Sequence, residues 1–528
     1  MTAKPESKRS GVSRRWTSLR KLFQTLAFLV ILALIVAARG ARWPASITNL
    51  PLRLDPLVAL INMLASRTVI AGTSIALITI GLTLLVGRAW CGWLCPMGTV
   101  LDWLPLRRFR VVRQAPPEGM RALKYFLLLA MVFAALFGNL TLAILDPLTI
   151  FVRTVSMSVW PALDKAITWL ETTLYAFPPL RTSISAIDGI LRPALLPQTP
   201  LAVRGVVLFG GIFLGIIALN LVAERFWCRY LCPLGGMLGV LSKFSLVRRR
   251  VDPACVGCAL CERVCPTGTI RPEEGYASDP AECTVCMECL DSCRLGTTSF
   301  RANIGMEKWN HYDPGRREAL AGMGTALAGV FLLRSGLIPQ SENPALIRPP
   351  GVSEEDMLSR CVRCGECIQT CPTGALQPAL TEAGIEGLWT PVVVPRLGFC
   401  DYGCNACGQS CPVDAIPSLS LEEKRLQVLG NAHIDRERCI AWAEDGACIV
   451  CEEMCPVPQK AIRLEEIRTI DPSGEPLTVQ RPHVLKDLCI GCGVCEYQCP
   501  VEGDAAIRVS AAHTDQQRQR QGWRGGRN

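Results

Sequence analysis

One cysteine spacing constrains this chain more than any other feature. In CVGCALCERVCP, Cys255, Cys258, Cys261 and Cys265 follow C-x2-C-x2-C-x3-C-P. Three thiolates this close in sequence can wrap one face of a cubane cluster, while tight turns between them aim backbone N–H groups at its sulfurs. The fourth cysteine starts a new segment and ligates the other cluster of a pair, and the proline after it stops the chain folding back. Cys283, Cys286, Cys289 and Cys293 repeat the run, with Arg294 in place of the proline. Cys361, Cys364, Cys367 and Cys371 form a third complete set, and Cys489, Cys492, Cys495 and Cys499 another. Two sets are stretched: Cys400, Cys404, Cys407, Cys411, and Cys439, Cys448, Cys451, Cys455.

Together these six sets account for 24 of the 28 cysteines. Five of them share a tail (CPTGTI, CPTGAL, CPVDAI, CPVPQKAI, CPVEGDAAI), an internal repeat that sets an apolar residue over each cluster. Structural zinc takes two separated pairs rather than three cysteines plus one, and disulfides would not need this register. The pattern predicts six 4Fe-4S clusters in α+β modules of the bacterial ferredoxin kind. The first two sets are expected to exchange fourth ligands, Cys293 to the first cluster and Cys265 to the second. For the last four sets, nested and sequential exchange both fit.

The remaining cysteines lie in GRAWCGWLCPMG and RFWCRYLCPLGG, as the pairs Cys91/Cys95 and Cys228/Cys232. Each Cys-x3-Cys-Pro follows a long apolar run. A spacing of four puts each pair on one helix face, and two such helices could unite all four thiols. A reversible disulfide, a copper site and another cluster all remain open, against the ordinary packing role of a buried cysteine. Trp90, Trp93, Trp227 and Tyr230 read as membrane-interface anchors, with quinone contact as the minority reading.

Four runs, Leu22–Ala38, Thr68–Gly87, Tyr125–Leu145 and Gly205–Ala223, carry no charge. About 20 apolar residues cross a bilayer core, so residues 22–245 are expected to form an all-α transmembrane bundle of four helices. Basic residues gather in the N-terminus 1–21, in the loop from Arg107 to Lys124, and at Lys243 and Arg248 to Arg250. By the positive-inside rule these face the cytoplasm. The stretch from Ile150 to Pro179, with Trp160, Trp169 and Tyr175, reads as an interfacial helix. A two-cluster ferredoxin domain follows at 246–305. Within 306–340, GRREALAGMGTALAGVFLLRSG opens on Arg316-Arg317 and reads as a fifth span, a retained export signal. A four-cluster polyferredoxin domain (341–510) and a disordered tail (511–528) complete the multidomain membrane protein.

Charge divides the same way. Up to residue 339 there are 37 Lys and Arg against 20 Asp and Glu; beyond it, 18 against 26. A basic membrane part and an acidic soluble part exclude nucleic acid as a partner, since that needs positive charge on the folded domain. None of the histidines, His311, His433, His483 and His513, lies in a span, so no haem is held there by paired imidazoles. No Cys-x-x-Cys-His and no glycine fingerprint between strand and helix occur, so haem c, flavin and NAD are not indicated.

Four spans, two Cys-x3-Cys-Pro motifs and a following pair of ferredoxin sets resemble the membrane subunit NapH of periplasmic nitrate reductase systems and its relative MauN. From about residue 350 the chain resembles the NapG/MauM polyferredoxins, including CIAWAEDGACIVCEEMCP. The resemblance implies a fusion acting as a quinol dehydrogenase. It would draw on the quinone pool of the inner membrane and pass electrons to a cytochrome c or periplasmic reductase. The first ferredoxin domain would be cytoplasmic and the last periplasmic. Asp102, Glu224 and Asp146 could accept quinol protons, but read more simply as solvated helix-end charges. The alternative function is an accessory factor supplying electrons to mature or reactivate a metalloenzyme, and a plainer one is a polyferredoxin subunit of a larger complex.

Overall fold

The computed structural model describes residues 15–39, 43–69, 71–104, 118–194, 202–302, 343, 346–470 and 476–511, with six positions between 321 and 329. The N-terminus to Arg14, residues 105–117, most of the Arg316-Arg317 segment and the tail beyond 511 lie outside the described residues. Within that segment Ala321, Gly324, Thr325 and 327–329 are helical.

The apolar part folds as packed helices: α1 (Arg15–Ala37), α2 (Pro56–Ser66), α3 (Ala76–Val86), α4 (Pro96–Trp103), α5 (Ala122–Leu136), α6 (Pro147–Thr154), α7 (Val206–Ala218) and α8 (Pro233–Ser242). Each charge-free run carries a helix. Among the described residues two, Arg15–Ala37 and Gly119–Leu136, are long and apolar enough to cross a membrane. The other two runs form the shorter apolar helices Gly72–Val86 and Val206–Leu221, each with a tight 3-10 turn at one end. Exposure is inverted relative to a water-soluble bundle. On α3, Leu77 and Ile78 are each 64% exposed while Thr79 and Thr83 are fully buried.

The short helices α2, α4, α6 and α8 share one construction. Each has proline in its first turn and an extended N-cap residue: Asp55, Cys95, Asp146 and Cys232. Proline suits this position because its missing N–H would be unsatisfied there anyway. Asp55 accepts from Leu57 and Val58, Asp146 from Thr149, and the Cys232 sulfur from Gly235. α4 packs on α6, and α8 on α2 and α5.

Two modules of short antiparallel ribbons flank the bundle. In the first, Val247–Val251 pairs with Thr298–Ala302 and Ile270–Arg271 with Ala277–Ser278. In the second, Leu376–Pro378 pairs with Pro391–Val393, Asn431–Ile434 with Ile507–Ser510, and Ile462–Ile470 with Pro476–Val484. All these sheets are two-stranded.

The modules dock at opposite ends of α1. At its start, Thr17 donates to Asp291 (2.6 Å) and Arg20 pairs with Glu288 (2.6 Å). Close by, Lys124 Nζ lies 2.5 and 2.6 Å from the two Glu282 oxygens, and Arg88 donates to the Ala281 carbonyl (2.7 Å). At its end, the Ile35 carbonyl accepts from Gln369 (2.7 Å) and that of Ala38 from Thr370 (3.1 Å). There too Asn62 donates to the Arg360 carbonyl (2.6 Å) and Arg363 to that of Leu140 (2.6 Å). At 1.5 Å per residue, the 23-residue helix is about 34 Å long and carries a docking site near each end.

Candidate iron–sulfur centres and the bundle between them

The complete cysteine sets share a backbone device. In each, the second and fourth residues after the first cysteine take positive φ: Gly257 and Ala259, Val285 and Met287, Arg363 and Gly365, Gly491 and Gly493. Alternating right- and left-handed residues turn successive N–H groups into one concavity, which suits an anionic cluster. Only four of these eight positions are glycine, and a β-branched residue such as Val285 at φ 51° is strained. The stretched sets reach their short helices through Asn405 and Ile449 at negative φ instead.

Neighbourhoods among the thiols regroup the cysteines across neighbouring sets. Cys265 lies within electrostatic reach of Cys283, Cys286 and Cys289, while Cys293 lines one cavity with Cys255, Cys258 and Cys261. These are the groupings that the expected exchange of fourth ligands would require. In the second module Cys411 approaches Cys364 and Cys367, and Cys371 approaches Cys400, Cys404 and Cys407. Cys499 lines a cavity with Cys439, Cys448 and Cys451; Cys455 lines another with Cys489, Cys492 and Cys495. The thiols of the second module therefore group in the sequential pattern rather than the nested one. The Cys361 group abuts the bundle through Gln369 and Thr370, and the Cys400 N–H donates to the Cys492 carbonyl (2.8 Å).

These rings suit clusters rather than single ions. Among the described residues no three His, Cys, Asp or Glu side chains are arranged to hold one metal ion. A zinc ion, bonded to sulfur at about 2.3 Å, would need a much tighter set. Burial pushes the Cys451 thiol up to about 12, so the positive charge of bound metal is what would hold it as thiolate. Cys293 moves the other way. Burial raises it, but hydrogen bonds from Thr297 and Thr298 outweigh that and bring it down to about 7.

The structure corrects two expectations about the Cys-x3-Cys-Pro motifs. Cys91/Cys95 and Cys228/Cys232 do not share an α-helical face. Cys91 and Cys228 lie within π-type turns, Trp90–Leu94 and Trp227–Leu231, that Cys95 and Cys232 end, closed by Cys95 N–H to Trp90 O (3.0 Å) and Cys232 N–H to Trp227 O (2.9 Å). The four thiols nevertheless converge: each is buried, and all fall within electrostatic reach of one another. Nor are the aromatics beside them interface anchors. Trp90, Trp227 and Tyr230 are buried, and Trp93 donates to the Val285 carbonyl (2.9 Å) of the first module. The indole N–H groups of Trp90 and Trp227 have no partner. Arg88 is electrostatically close to Cys91 and Cys232, and Arg225 to both Cys228 and Cys286. The four-thiol centre thus adjoins the Cys283 group.

Two acidic residues expected to be solvated are not. Asp102 is 15% exposed and bonds Arg225 at 2.6 and 2.5 Å, with Arg20 at 3.5 Å. Asp146 is fully buried, and so is Asp55, which the sequence reading passed over. A signal for Asp55 existed: LDPL occurs at 54–57 and again at 145–148.

Comparison with known proteins follows this geometry. A family model described as a 4Fe-4S binding domain matches residues 68–113 and 206–252, each containing one Cys-x3-Cys-Pro, and a second of the same description matches 356–377 and 482–502. The methylamine utilization ferredoxin-type protein MauM of Methylorubrum extorquens is 37% identical over 211 residues, 37% of this chain and 89% of that protein. MauM of Paracoccus denitrificans is 38% identical over 206 residues, covering 37% and 86%. The ferredoxin-type protein NapG of Escherichia coli is 33% identical over 195 residues, covering 35% and 79%. No solved structure matches the chain. With its 4Fe-4S domains, the chain belongs to the MauM/NapG family of ferredoxin-type iron–sulfur electron-transfer proteins.

Proposed function

We propose that this is a membrane-embedded quinol dehydrogenase. It oxidises quinol and passes the electrons through six 4Fe-4S clusters, held by the exchanged cysteine groups, to a redox partner such as a cytochrome c or periplasmic reductase. The observation that carries the reading is the docking of the two modules at opposite ends of one helical bundle. Exposed Leu29, Val30, Leu77, Ile78, Val207 and Leu214, around buried Thr79, Thr83 and Asn220, support a lipid environment for that bundle. The four apolar helical segments then cross the bilayer, the basic end and first module face the cytoplasm, and the acidic module faces the periplasm.

When bound, the clusters supply one-electron redox chemistry. The protein's own part is to hold them in line, exclude water and compensate charge. About 30 Å of hydrocarbon would separate the modules. Cys91, Cys95, Cys228 and Cys232 are the residues that could hold a redox or metal centre at the first-module end of that gap. The accessory reading, a copper site for metalloenzyme maturation, would need the same four thiols to draw closer together than they stand. Bound copper after purification from copper-fed cells would favour it.

The test uses the full chain in lipid vesicles with its iron in place. Adding a short-chain quinol should produce the paramagnetic signals of reduced clusters. Reduction of every cluster by dithionite and none by quinol would overturn the quinol reading.

A further inference from the structure

The bundle holds a second buried constellation that electron transfer alone does not use. Asp55 and Asp146 cap α2 and α6 through Asp55 Oδ1 and Asp146 Oδ2. Their other oxygens, Asp55 Oδ2 and Asp146 Oδ1, are buried and receive no hydrogen bond from any N–H or hydroxyl. The group each carboxyl does meet is the other, within hydrogen-bonding range. Two carboxylates facing one another without a donor repel strongly; one shared proton turns the repulsion into a hydrogen bond. Both residues are 0% exposed, so bulk water does not screen them.

The surroundings neither neutralise the pair nor isolate it. On α6, Arg153 is electrostatically close to Asp146, to Arg363 and to Cys364, so one guanidinium is near both the pair and the Cys361 group. Arg53, preceding α2, interacts with Glu366 of the second module. α3 presents the hydroxyls of Thr79 and Thr83, with Thr79 donating to the Leu54 carbonyl (2.7 Å). α5 carries Lys124, committed to Glu282 at the opposite end of the bundle. α4 carries Asp102, committed to Arg225 and Arg20, and α8 is capped by Cys232.

We propose that Asp55 and Asp146 form a redox-linked proton-binding site that shares one proton at rest and takes a second when the Cys361 group is reduced. One electron goes to the iron–sulfur centre. One proton, from hydroquinone or water, forms an O–H bond on the remaining carboxylate oxygen; reoxidation reverses both. The inference rests on the electron-transfer reading of that centre but not on quinol as the donor.

The test is a dithionite redox titration of the full-length, iron-loaded protein at several pH values. It follows the cluster signal identified by its loss in C361S. The wild-type reduced-to-oxidised ratio should change up to tenfold per pH unit, equivalent to up to about 59 mV for one electron. In D55N and D146N the dependence should vanish, and the infrared C=O band of a protonated carboxyl should be lost. Asparagine caps helices as well as aspartate, so both variants should fold, checked by unchanged cluster content. A pH-independent wild-type ratio, or equal slopes in wild type and D55N, would overturn the proposal. Failure of quinol to reduce the protein would leave it standing.

Discussion

The seat of the first module should depend on one buried charge. Glu282 is 5% exposed and sits 2.5 and 2.6 Å from Lys124 Nζ, itself fully buried, with Arg88 at 3.6 Å. At about 4 Å and an effective dielectric of 20, one such attraction is about 4 kcal/mol. Removing one partner of a buried pair costs about 3–5 kcal/mol because the other charge stays behind. Glu282→Gln should therefore loosen residues 247–302 from the bundle by that amount. Hydrogen exchange at Ala281 to Val285 reads this locally, and should rise at least a hundredfold while residues 346–470 stay protected. The double variant K124M/E282Q should recover much of the loss, since it removes the orphaned ammonium. Exchange in E282Q within about fivefold of wild type would refute this electrostatic account of docking.

Other perturbations separate the parts. Cys411→Ser and Cys361→Ser should abolish the same paramagnetic signal, and Cys371→Ser a different one; nested pairing would give another grouping. Gly92→Ala would drive a Cβ to 2.2 Å from the Thr284 carbonyl oxygen, so the first module should detach as judged by protease cleavage near residue 246. Gly365→Ala adds strain at φ +83° and a contact of 2.3 Å with Met157. It should cost about 1–3 kcal/mol and release iron selectively from the Cys361 group, measured by iron content and signal loss. Removing iron with a chelator should unfold the second module, because Cys455, Cys489 and Cys495 lie within its buried core; retained circular dichroism there would contradict this.

The cysteine groups were legible because three-plus-one spacing is a local pattern. The approach of Cys265 to the second set and of Cys293 to the first was legible for the same reason. The sequential grouping of thiols in the second module was not, because it depends on long-range pairing such as Asn431–Ile434 with Ile507–Ser510. The apolar runs placed the helices but not their lengths, since hydropathy does not distinguish α-helix from the 3-10 turns at Ala71–Ile75 and Leu219–Leu221. The spacing of Cys91 and Cys95 matched an α-helix, yet the proline after Cys95 begins a new helix and the preceding turn widens. Asp146 looked like a solvated helix end. It is an end, but one of four proline-led helices that start inside the bundle.

The central claim is that the bundle carries electrons between two compartments. A reporter fused after Asn528, active on only one side of the membrane, tests it most directly. Activity on the periplasmic side, with a reporter after Ala302 active in the cytoplasm, is the expected result. Cytoplasmic activity at both positions would contradict the account.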